Sequence, residues 1–288
     1  MGNWCRKPEL PSIFHSTFDL YLPALGNRSD TCLITAHLGQ SIDARIATSD
    51  GDSFYVTGEV NRKHLHCLRA MCDAVIVGSR TIIADNPQLT TRAVSGTNPV
   101  RVIIDPSARL HQPLRVFDDG QARTILIHQS SADLSGRQTQ FGPLVADNAG
   151  NTVRQVQRCI VPDSDDELAV KNLVALLNRL GLQRLFVEGG GNTVSRFFEE
   201  RVLDRLQVAV APLLVGAGTP ALQLTGVTKM LNAYRPPHTV YRMGEDVLWD
   251  FDVSMMKNDS LKSVVSNDTS DSSQLNESGL RFSFERLF

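Results

Sequence analysis

The stretch Leu185-Phe-Val-Glu-Gly-Gly-Gly-Asn-Thr-Val-Ser-Arg-Phe-Phe198 decides the fold of this chain. A short apolar run ends at Glu188, and three glycines and an amphipathic segment follow it. This pattern predicts a strand, a tight turn and the start of a helix. Glycines let a ligand approach the main chain closely, and the first amides of a helix are unpaired. The stretch therefore predicts a seat for a phosphate group at the carboxyl end of a strand, although an ordinary strand–turn–helix connection has the same composition.

Apolar runs alternate with helical patterns on both sides of this stretch. The predicted strands are 32–36, 74–77, 100–104, 124–127, 206–215 and a late antiparallel one at 247–253. Helices are predicted from Thr57 to about Cys72, after a capping box at Ser164-Asp-Asp-Glu167, and from Thr193. Residues 130–155 are polar and read as an irregular connection. Strands that alternate with helices predict an α/β fold with a mostly parallel central sheet and helices on both faces.

Composition divides the chain into three parts and excludes several functions. Residues 1–30 read as an N-terminal arm, residues 31–256 as one domain, and residues 257–288 as a polar, disordered tail. The net charge of −2 argues against a nucleic-acid or acidic-membrane partner. No apolar run reaches the roughly 20 residues of a spanning helix, and the start lacks the apolar core of a signal peptide, so we expect a cytoplasmic protein. The five cysteines include no C-x-x-C pair, so neither a disulfide framework nor a metal site is expected.

Four segments, read together, carry a family resemblance. They are Gly39-Gln-Ser-Ile-Asp-Ala-Arg-Ile-Ala47 with Gly51-Asp-Ser53 and Tyr55; Leu68-Arg-Ala70 with Asp73-Ala-Val-Ile-Val-Gly78; Thr81 with Asp85-Asn-Pro-Gln-Leu-Thr-Thr-Arg92; and Val187-Glu-Gly-Gly-Gly191 with Ala211-Pro-Leu-Leu-Val-Gly216. In this order and spacing, across roughly residues 31–255, the chain resembles the pyrimidine reductase of riboflavin biosynthesis. The resemblance implies a dihydrofolate-reductase-like fold, a homodimer, and NADPH as cofactor. The implied reaction reduces the ribosyl side chain of a ribosylamino-pyrimidine 5′-phosphate to the ribitylamino form.

The chain also departs from the bacterial pattern of that family. His37 stands where many bacterial members have Lys, and Ala44 stands where they have Gly. The segment Gln40-Ser-Ile-Asp-Ala-Arg45 looks more like the stand-alone reductases of fungi. The zinc-deaminase motifs H-x-E and P-C-x-x-C do not occur in the sequence. The chain therefore resembles the reductase alone, without a deaminase domain.

The resemblance assigns roles to residues that the pattern alone leaves open. The implied substrate ligands are Ser53, Arg69, Leu89, Arg92 and Glu188, with the two arginines as a clamp for the phosphate. The implied cofactor ligands are Gly39, Tyr55, Thr81, Asp85, Gly190, Gly191, Asn192, Thr193, Val194, Ser195 and Arg196. Arg109, in the loop after Asp105, is a candidate ligand for the cofactor's 2′-phosphate. The donor of the proton stays open between water and Asp85.

The same side chains also fit purely structural roles. Thr81 fits a helix cap, Asp85 fits an Asx turn before Asn86-Pro87, and the two arginines fit solvated surface positions. Two other functions also remain open. One is reduction of dihydrofolate or another pterin-like substrate on the same fold. The other is a non-catalytic NADPH-binding homologue, which His37 in the usual lysine position keeps open.

Overall fold

The structure is a computed structural model, and it describes residues 15–25, 32–54, 56–110, 113–146, 150–164 and 167–257. The predicted ligand Tyr55 and the predicted tail from residue 258 onward lie outside these ranges. Within them, no helix is long and apolar enough to cross a membrane. The same ranges contain no group of three or more His, Cys, Asp or Glu side chains that could hold a metal ion.

Helices and strands alternate along most of the described chain. The helices are α1 His15–Tyr21, α2 Glu59–Met71, α3 Ser79–Asp85, α4 Arg115–Asp118, α5 Val170–Arg179 and α6 Gly191–Glu199, with 3-10 turns at Leu22–Leu25 and Met230–Asn232. The strands are β1 Leu33–Ser41, β2 Arg45–Thr48, β3 Ala74–Gly78, β4 Val100–Ile104, β5 Thr124–Gln129, β6 Gln140–Ala146, β7 Thr152–Val161, β8 Asp163–Ser164, β9 Glu167–Leu168, β10 Arg184–Glu188, β11 Arg205–Ala211, β12 Gly218–Pro220, β13 His238–Met243 and β14 Asp246–Asp252.

Ten strands form one sheet in the order β13-β14-β11-β1-β10-β3-β4-β5-β7-β6. Six of its nine strand pairs are parallel, from β11 through to β7, and the pairs at the two ends are antiparallel. The predicted mostly parallel α/β sheet is therefore confirmed, and so is the antiparallel late strand. For the expected homodimer, the sequence offers either the apolar strand within 206–215 or the late strand near Trp249 as a sheet edge. Neither is a free edge, because β11 pairs with β1 and β14, and β14, which carries Trp249, pairs with β11 and β13.

Two apolar layers cover the two faces of the sheet. Alternate residues of each strand point to opposite faces, so Ile76 and Ile125 join one layer while Val75 and Leu126 join the other. The first layer packs against α5 and α6, and the second against α2, α3 and α4. The strands read as continuous apolar runs because both of their faces are buried. The prediction of helices on both faces is confirmed.

Two local predictions were wrong for physical reasons. The helix expected after the capping box begins only at Val170, and Ser164 and Glu167 lie in the short paired strands β8 and β9. Its first amides are instead capped by a distant side chain, because the Glu200 carboxylate accepts hydrogen bonds from the amides of Val170 and Lys171. The polar segment expected to be irregular contains the antiparallel hairpin of β6 and β7.

Part of the predicted N-terminal arm packs on the domain. Leu20 of α1 is buried in a small cluster with Tyr241, Met243 and other residues of the antiparallel end of the sheet. The hydroxyl of Tyr21 donates to Nδ1 of His64 on α2 over 2.8 Å. These contacts tie α1 to both the sheet and α2. The boundaries proposed at residues 30 and 256 stay a prediction.

Candidate active site

A cavity of about 770 Å³ lies at the carboxyl ends of β1, β10, β3 and β4. These four strands are neighbours in the sheet and run in the same direction, so residues far apart in sequence end at one edge. The size is within the usual range for small-molecule sites. The predicted ligands that line the cavity are Gly39, Ser53, Thr81, Asp85, Leu89, Glu188, Gly190, Gly191, Asn192, Thr193 and Arg196.

The glycine-rich turn joins β10 to α6 at the floor of the cavity. Gly190 immediately precedes α6, and its amide donates to the Thr81 hydroxyl over 3.2 Å. Gly190 carries no side chain that could cap the helix, so the first turn offers backbone amides to a ligand. A Cβ atom at Gly191 would lie 1.4 Å from the carbonyl oxygen of Ala221, and only glycine fits that contact. Gly190 has ordinary dihedral angles, and its Cβ would meet only Thr81, at 3.4 Å.

The predicted cofactor run does not present all of its side chains to the cavity. Val194 is buried in the apolar layer, and the buried Ser195 hydroxyl accepts from the Gln223 amide over 2.8 Å. Helical periodicity turns these two side chains inward, while Arg196 returns to the cavity wall and donates to the Leu168 carbonyl over 2.6 Å. The structure therefore does not bring the side chains of Val194 and Ser195 to the cavity.

Ser53 and Asp85 lie together on the cavity wall. The Ser53 hydroxyl donates to Asp85 over 3.1 Å. Burial raises the pKa of the Asp85 carboxyl above its usual value, and the bond from Ser53 opposes that shift only in part. On β1, Gly39 packs closely against Thr57, since a Cβ at this glycine would lie 2.7 Å from the Thr57 methyl group. The absence of a side chain at Gly39 therefore belongs to this packing as well as to the cavity.

Arg69 and Glu188, both predicted to bind substrate, bind each other. Nε of Arg69 donates to one carboxylate oxygen of Glu188 over 2.7 Å, and Nη2 donates to the other. Nη1 of Arg69 donates to the carbonyl of Thr90 over 3.0 Å. Arg69 is 6% exposed and lies behind the cavity wall, whereas Glu188 reaches the cavity. The pair therefore fixes the orientation of Glu188.

Leu89 and Arg92 lie in the loop between α3 and β4, which contacts α2. Leu89 adopts a left-handed backbone with φ of 54°, and its side chain is buried. The Arg92 side chain is exposed and does not line the cavity, but its charge interacts with Glu188, Arg69 and Arg115. Partial burial and the charge of Arg69 lower the pKa of Arg92. An anion placed here would relieve the repulsion between these cations.

His37 lines the cavity as part of a buried polar network. Asn61 donates its amide group to Thr57 over 3.0 Å, so its oxygen accepts from Nε2 of His37, also over 3.0 Å. On the other side, His64 bonds to Gln207 over 2.8 Å. Burial lowers the pKa of His37 to about 4 and that of His64 to about 3. His37 is therefore a neutral group at the position where the resemblance expects a cation.

Two further arginines line the cavity, and the sequence singled out only Arg109 of the two. Arg80 and Arg109 lie at the adjacent carboxyl ends of β3 and β4. Arg109, the candidate for the 2′-phosphate, donates to the buried hydroxyl of Ser79 over 3.2 Å. Its loop is held by Asp105, whose carboxylate accepts from the Arg109 and Leu110 amides. The available signal for Arg80 was its place two residues after Gly78.

Several known proteins are similar to this chain in sequence. A protein named riboflavin biosynthesis protein RibD from Aquifex aeolicus is 30% identical over 218 residues, covering 75% of this chain and 56% of that protein. A 2,5-diamino-6-ribosylamino-4(3H)-pyrimidinone 5′-phosphate reductase from Methanothermobacter thermautotrophicus is 28% identical, covering 76% of this chain and 97% of that protein. This chain thus spans about half the length of the Aquifex RibD relative and nearly all of the archaeal one.

Solved structures share the fold. A RibD structure from Acinetobacter baumannii has a TM-score of 0.61 and 22% identity, covering 78% of this chain and 58% of that one. The riboflavin biosynthesis reductase of Saccharomyces cerevisia has a TM-score of 0.59 and 19% identity, covering 82% and 97%. At these identities the comparison establishes the fold alone.

The fold and cavity together define an α/β protein with a ligand-sized cavity at the carboxyl ends of parallel strands, over a glycine-rich turn. Residues 33–248 match the sequence family described as the RibD C-terminal domain, and the chain belongs to that family. The predicted family resemblance is therefore confirmed.

Proposed function

We propose that this protein uses NADPH to reduce the ribosyl side chain of a ribosylamino-pyrimidine 5′-phosphate to the ribitylamino form, as a step of riboflavin biosynthesis. The observation that carries the proposal is the cavity at four adjacent strand ends. It gathers Glu188, the glycine turn and most of the ligands expected from the resemblance. The name of the Methanothermobacter relative, of which the chain covers 97%, supports the reductase reaction.

The cofactor would lie over the glycine turn. Thr81, Asp85 and the backbone from Gly190 to Thr193 would hold it, with the pyrophosphate on the amides at the start of α6. When bound, NADPH supplies the hydride that reduces C1′ of the ring-opened imine. The chain's own residues position the two reactants and exclude water.

The end of the cavity at β3 and β4 suits the 2′-phosphate that distinguishes NADPH from NADH. Arg80 and Arg109 both line it, and Ser79 fixes the Arg109 side chain. We expect Arg109→Ala to weaken NADPH binding about tenfold or more while changing NADH binding little. Titration of both dinucleotides against the wild type and the variant measures this, and equal wild-type affinities would refute the preference.

The substrate would lie between Ser53, Leu89 and Glu188, with its phosphate toward Arg92. Arg92 offers an exposed guanidinium, and Arg69 adds positive charge from behind the wall. The carboxylate of Glu188 would accept hydrogen bonds from the substrate, because Arg69 holds it as an ion pair. Asp85, whose pKa is raised by burial, is the cavity carboxyl better suited to hold a proton for the imine nitrogen.

The proposal includes a cytoplasmic homodimer. Because β11 is paired on both sides, the edge strand at that end of the sheet, among the described residues, is β13. Val240 and Val247 are exposed on β13 and β14, and Trp249 stacks on Phe251 nearby. Light scattering at micromolar concentration should give twice the mass of one chain, and a monomer mass would refute this part.

The deciding experiment follows NADPH oxidation by purified protein with three substrates in parallel. These are the 2,5-diamino-pyrimidinone ribosylamino phosphate, the deaminated 5-amino-uracil counterpart, and dihydrofolate. We expect turnover of one or both ribosylamino phosphates and little of dihydrofolate. Turnover of dihydrofolate alone would favour a pterin reductase, and tight NADPH binding with no turnover would favour a non-catalytic homologue.

A further inference from the structure

The loop that carries Arg92 has its main chain bonded by side chains instead of by a neighbouring strand. The Thr90 carbonyl accepts from Arg69 over 3.0 Å, and the Thr91 amide donates to Asn98 over 2.8 Å. The Arg92 amide donates to Nδ1 of His66 over 3.2 Å. Buried backbone groups need such partners, so these contacts set the path of the loop.

Two of the three partners belong to α2 and share one face of it. His66 and Arg69 are three residues apart, which places them one helical turn from each other. They are 7% and 6% exposed, so both are held by the surrounding structure. Arg69 also holds Glu188, so one turn of α2 contacts both Glu188 and the loop that carries Arg92.

His66 can accept the Arg92 amide only while its Nδ1 is unprotonated. The charged groups that face its ring are Arg69 on α2, Arg92 on the loop and Glu188 at the end of β10, together with the backbone of Thr90. Burial, followed by the two arginines, lowers the pKa of His66, while Glu188 and Thr90 oppose that shift. The ring is therefore neutral, and able to accept, at neutral pH.

We propose that His66 is a positioning residue, which fixes the main chain of Arg92 so that its guanidinium meets the substrate phosphate. The inference rests on the proposed function, since it takes Arg92 as the phosphate ligand. His66 does not touch the substrate. It acts through the Arg92 amide, and Arg69 holds the adjacent Thr90 carbonyl.

The test compares His66→Ala, which removes the acceptor, with His66→Asn, whose side-chain oxygen can take the place of Nδ1 without titrating. Lys63→Ala, on the exposed side of α2, is the control for a substitution in this helix. The first measurement is hydrogen exchange of the peptide spanning residues 89–93 in protein without any ligand. We expect faster exchange in His66→Ala, and wild-type exchange in the other two variants.

The second measurement is steady-state kinetics with the phosphorylated pyrimidine. We expect His66→Ala to raise KM about three- to tenfold, the effect of one lost hydrogen bond. The kcat and the Kd of NADPH should stay near the wild type. His66→Asn should restore KM to within about twofold. As pH falls below neutral, KM should rise in the wild type and stay flatter in His66→Asn. In an Arg92→Ala background, His66→Ala should add little.

The outcomes separate this inference from the proposed function. Unchanged exchange in His66→Ala would overturn it, and so would equal KM changes in His66→Ala and His66→Asn. Faster exchange with an unchanged KM would also overturn it, because the loop would then be released without consequence for the substrate. If no pyrimidine phosphate is reduced at all, the proposed function fails, whereas the exchange measurement still decides whether His66 holds the loop.

Discussion

Two adjacent glycines in the turn before α6 should respond in opposite ways to the addition of one methyl group. At Gly190 the dihedral angles of φ −58° and ψ 156° suit any residue, and a Cβ would meet only the Thr81 hydroxyl, at 3.4 Å. Alanine costs about 0.5–1 kcal/mol more than glycine at a helix N-cap. It regains about 0.4–1 kcal/mol by restricting the unfolded chain. We therefore expect Gly190→Ala to stay within about 1 kcal/mol of the wild-type free energy of unfolding.

At Gly191, an added methyl group would clash with the backbone of Ala221. The added Cβ would lie 1.4 Å from the carbonyl oxygen of Ala221 and 2.5 Å from the carbonyl carbon, against a normal contact near 3.5 Å. Ala221 is buried, and its amide donates to the Ala44 carbonyl over 3.1 Å, so its backbone cannot shift away without disturbing these contacts. Overpacking usually costs about 1–3 kcal/mol. A clash of the new methyl group with a neighbouring backbone should cost at least the upper end of that range. Gly191→Ala should lose about 3 kcal/mol or more.

In contrast to stability, NADPH binding should be weakened by Gly190→Ala. A methyl group at Gly190 would stand between the pyrophosphate and the amides at the start of α6, and would remove one or two charge-assisted hydrogen bonds. Each is worth about 1.5–3 kcal/mol, so the Kd for NADPH should rise at least about tenfold. Urea unfolding and NADPH titration of both variants form the assay. Wild-type NADPH affinity in Gly190→Ala would refute the placement of the cofactor, and wild-type stability in Gly191→Ala would refute the packing argument.

Three further outcomes are expected. Arg92→Ala should raise KM for the phosphorylated substrate about ten- to a hundredfold, with little effect on the dephosphorylated one, and Arg92→Lys should rescue only part in the same assay. His37 and His64 stay neutral in the fold but take up protons near pH 6.5 when unfolded. For each histidine, the free energy of unfolding should therefore fall by about 2 kcal/mol as pH falls from 7 to 5. Urea unfolding at both pH values measures this, and His64→Gln should show a smaller loss. Arg205→Met should cost about 3–5 kcal/mol at neutral pH in urea unfolding, because it strands the buried Asp250 carboxylate; a loss below about 1 kcal/mol would contradict that reasoning.

The sequence was informative where a local pattern decides the structure. The apolar runs predicted β3, β4 and β5 within two residues at each end, because these strands are buried on both faces and need continuous apolar side chains. It failed where a distant residue supplies the partner. The predicted capping box does not cap α5. Glu200, which lies about 30 residues further along the chain and directly after α6, caps it instead.

The candidate site shows the same division. The glycine turn and the strand-end position of Glu188 follow from local pattern, and the structure places both at the cavity. The sequence did not reveal that Arg69 and Glu188 bind each other, because 119 positions separate them and only the sheet topology brings α2 beside β10. Helical periodicity could have indicated that Val194 and Ser195 turn inward. The partner of Ser195 could not be predicted, since the Gln223 amide that bonds its hydroxyl comes from a later loop.

The order of strands in the sheet also constrains how the chain is made. The first strand, β1, lies between β10 and β11, with Leu33 opposite Arg184 and Thr35 opposite Arg205. At ribosomal rates of about 5–20 residues per second, β1 would wait roughly 7–30 s for its first sheet neighbour. During that interval an apolar segment with two open edges is exposed to aggregation. Protein ending before Ala211 should therefore collect in inclusion bodies, and the yield of the full chain should rise with slower synthesis or added chaperone.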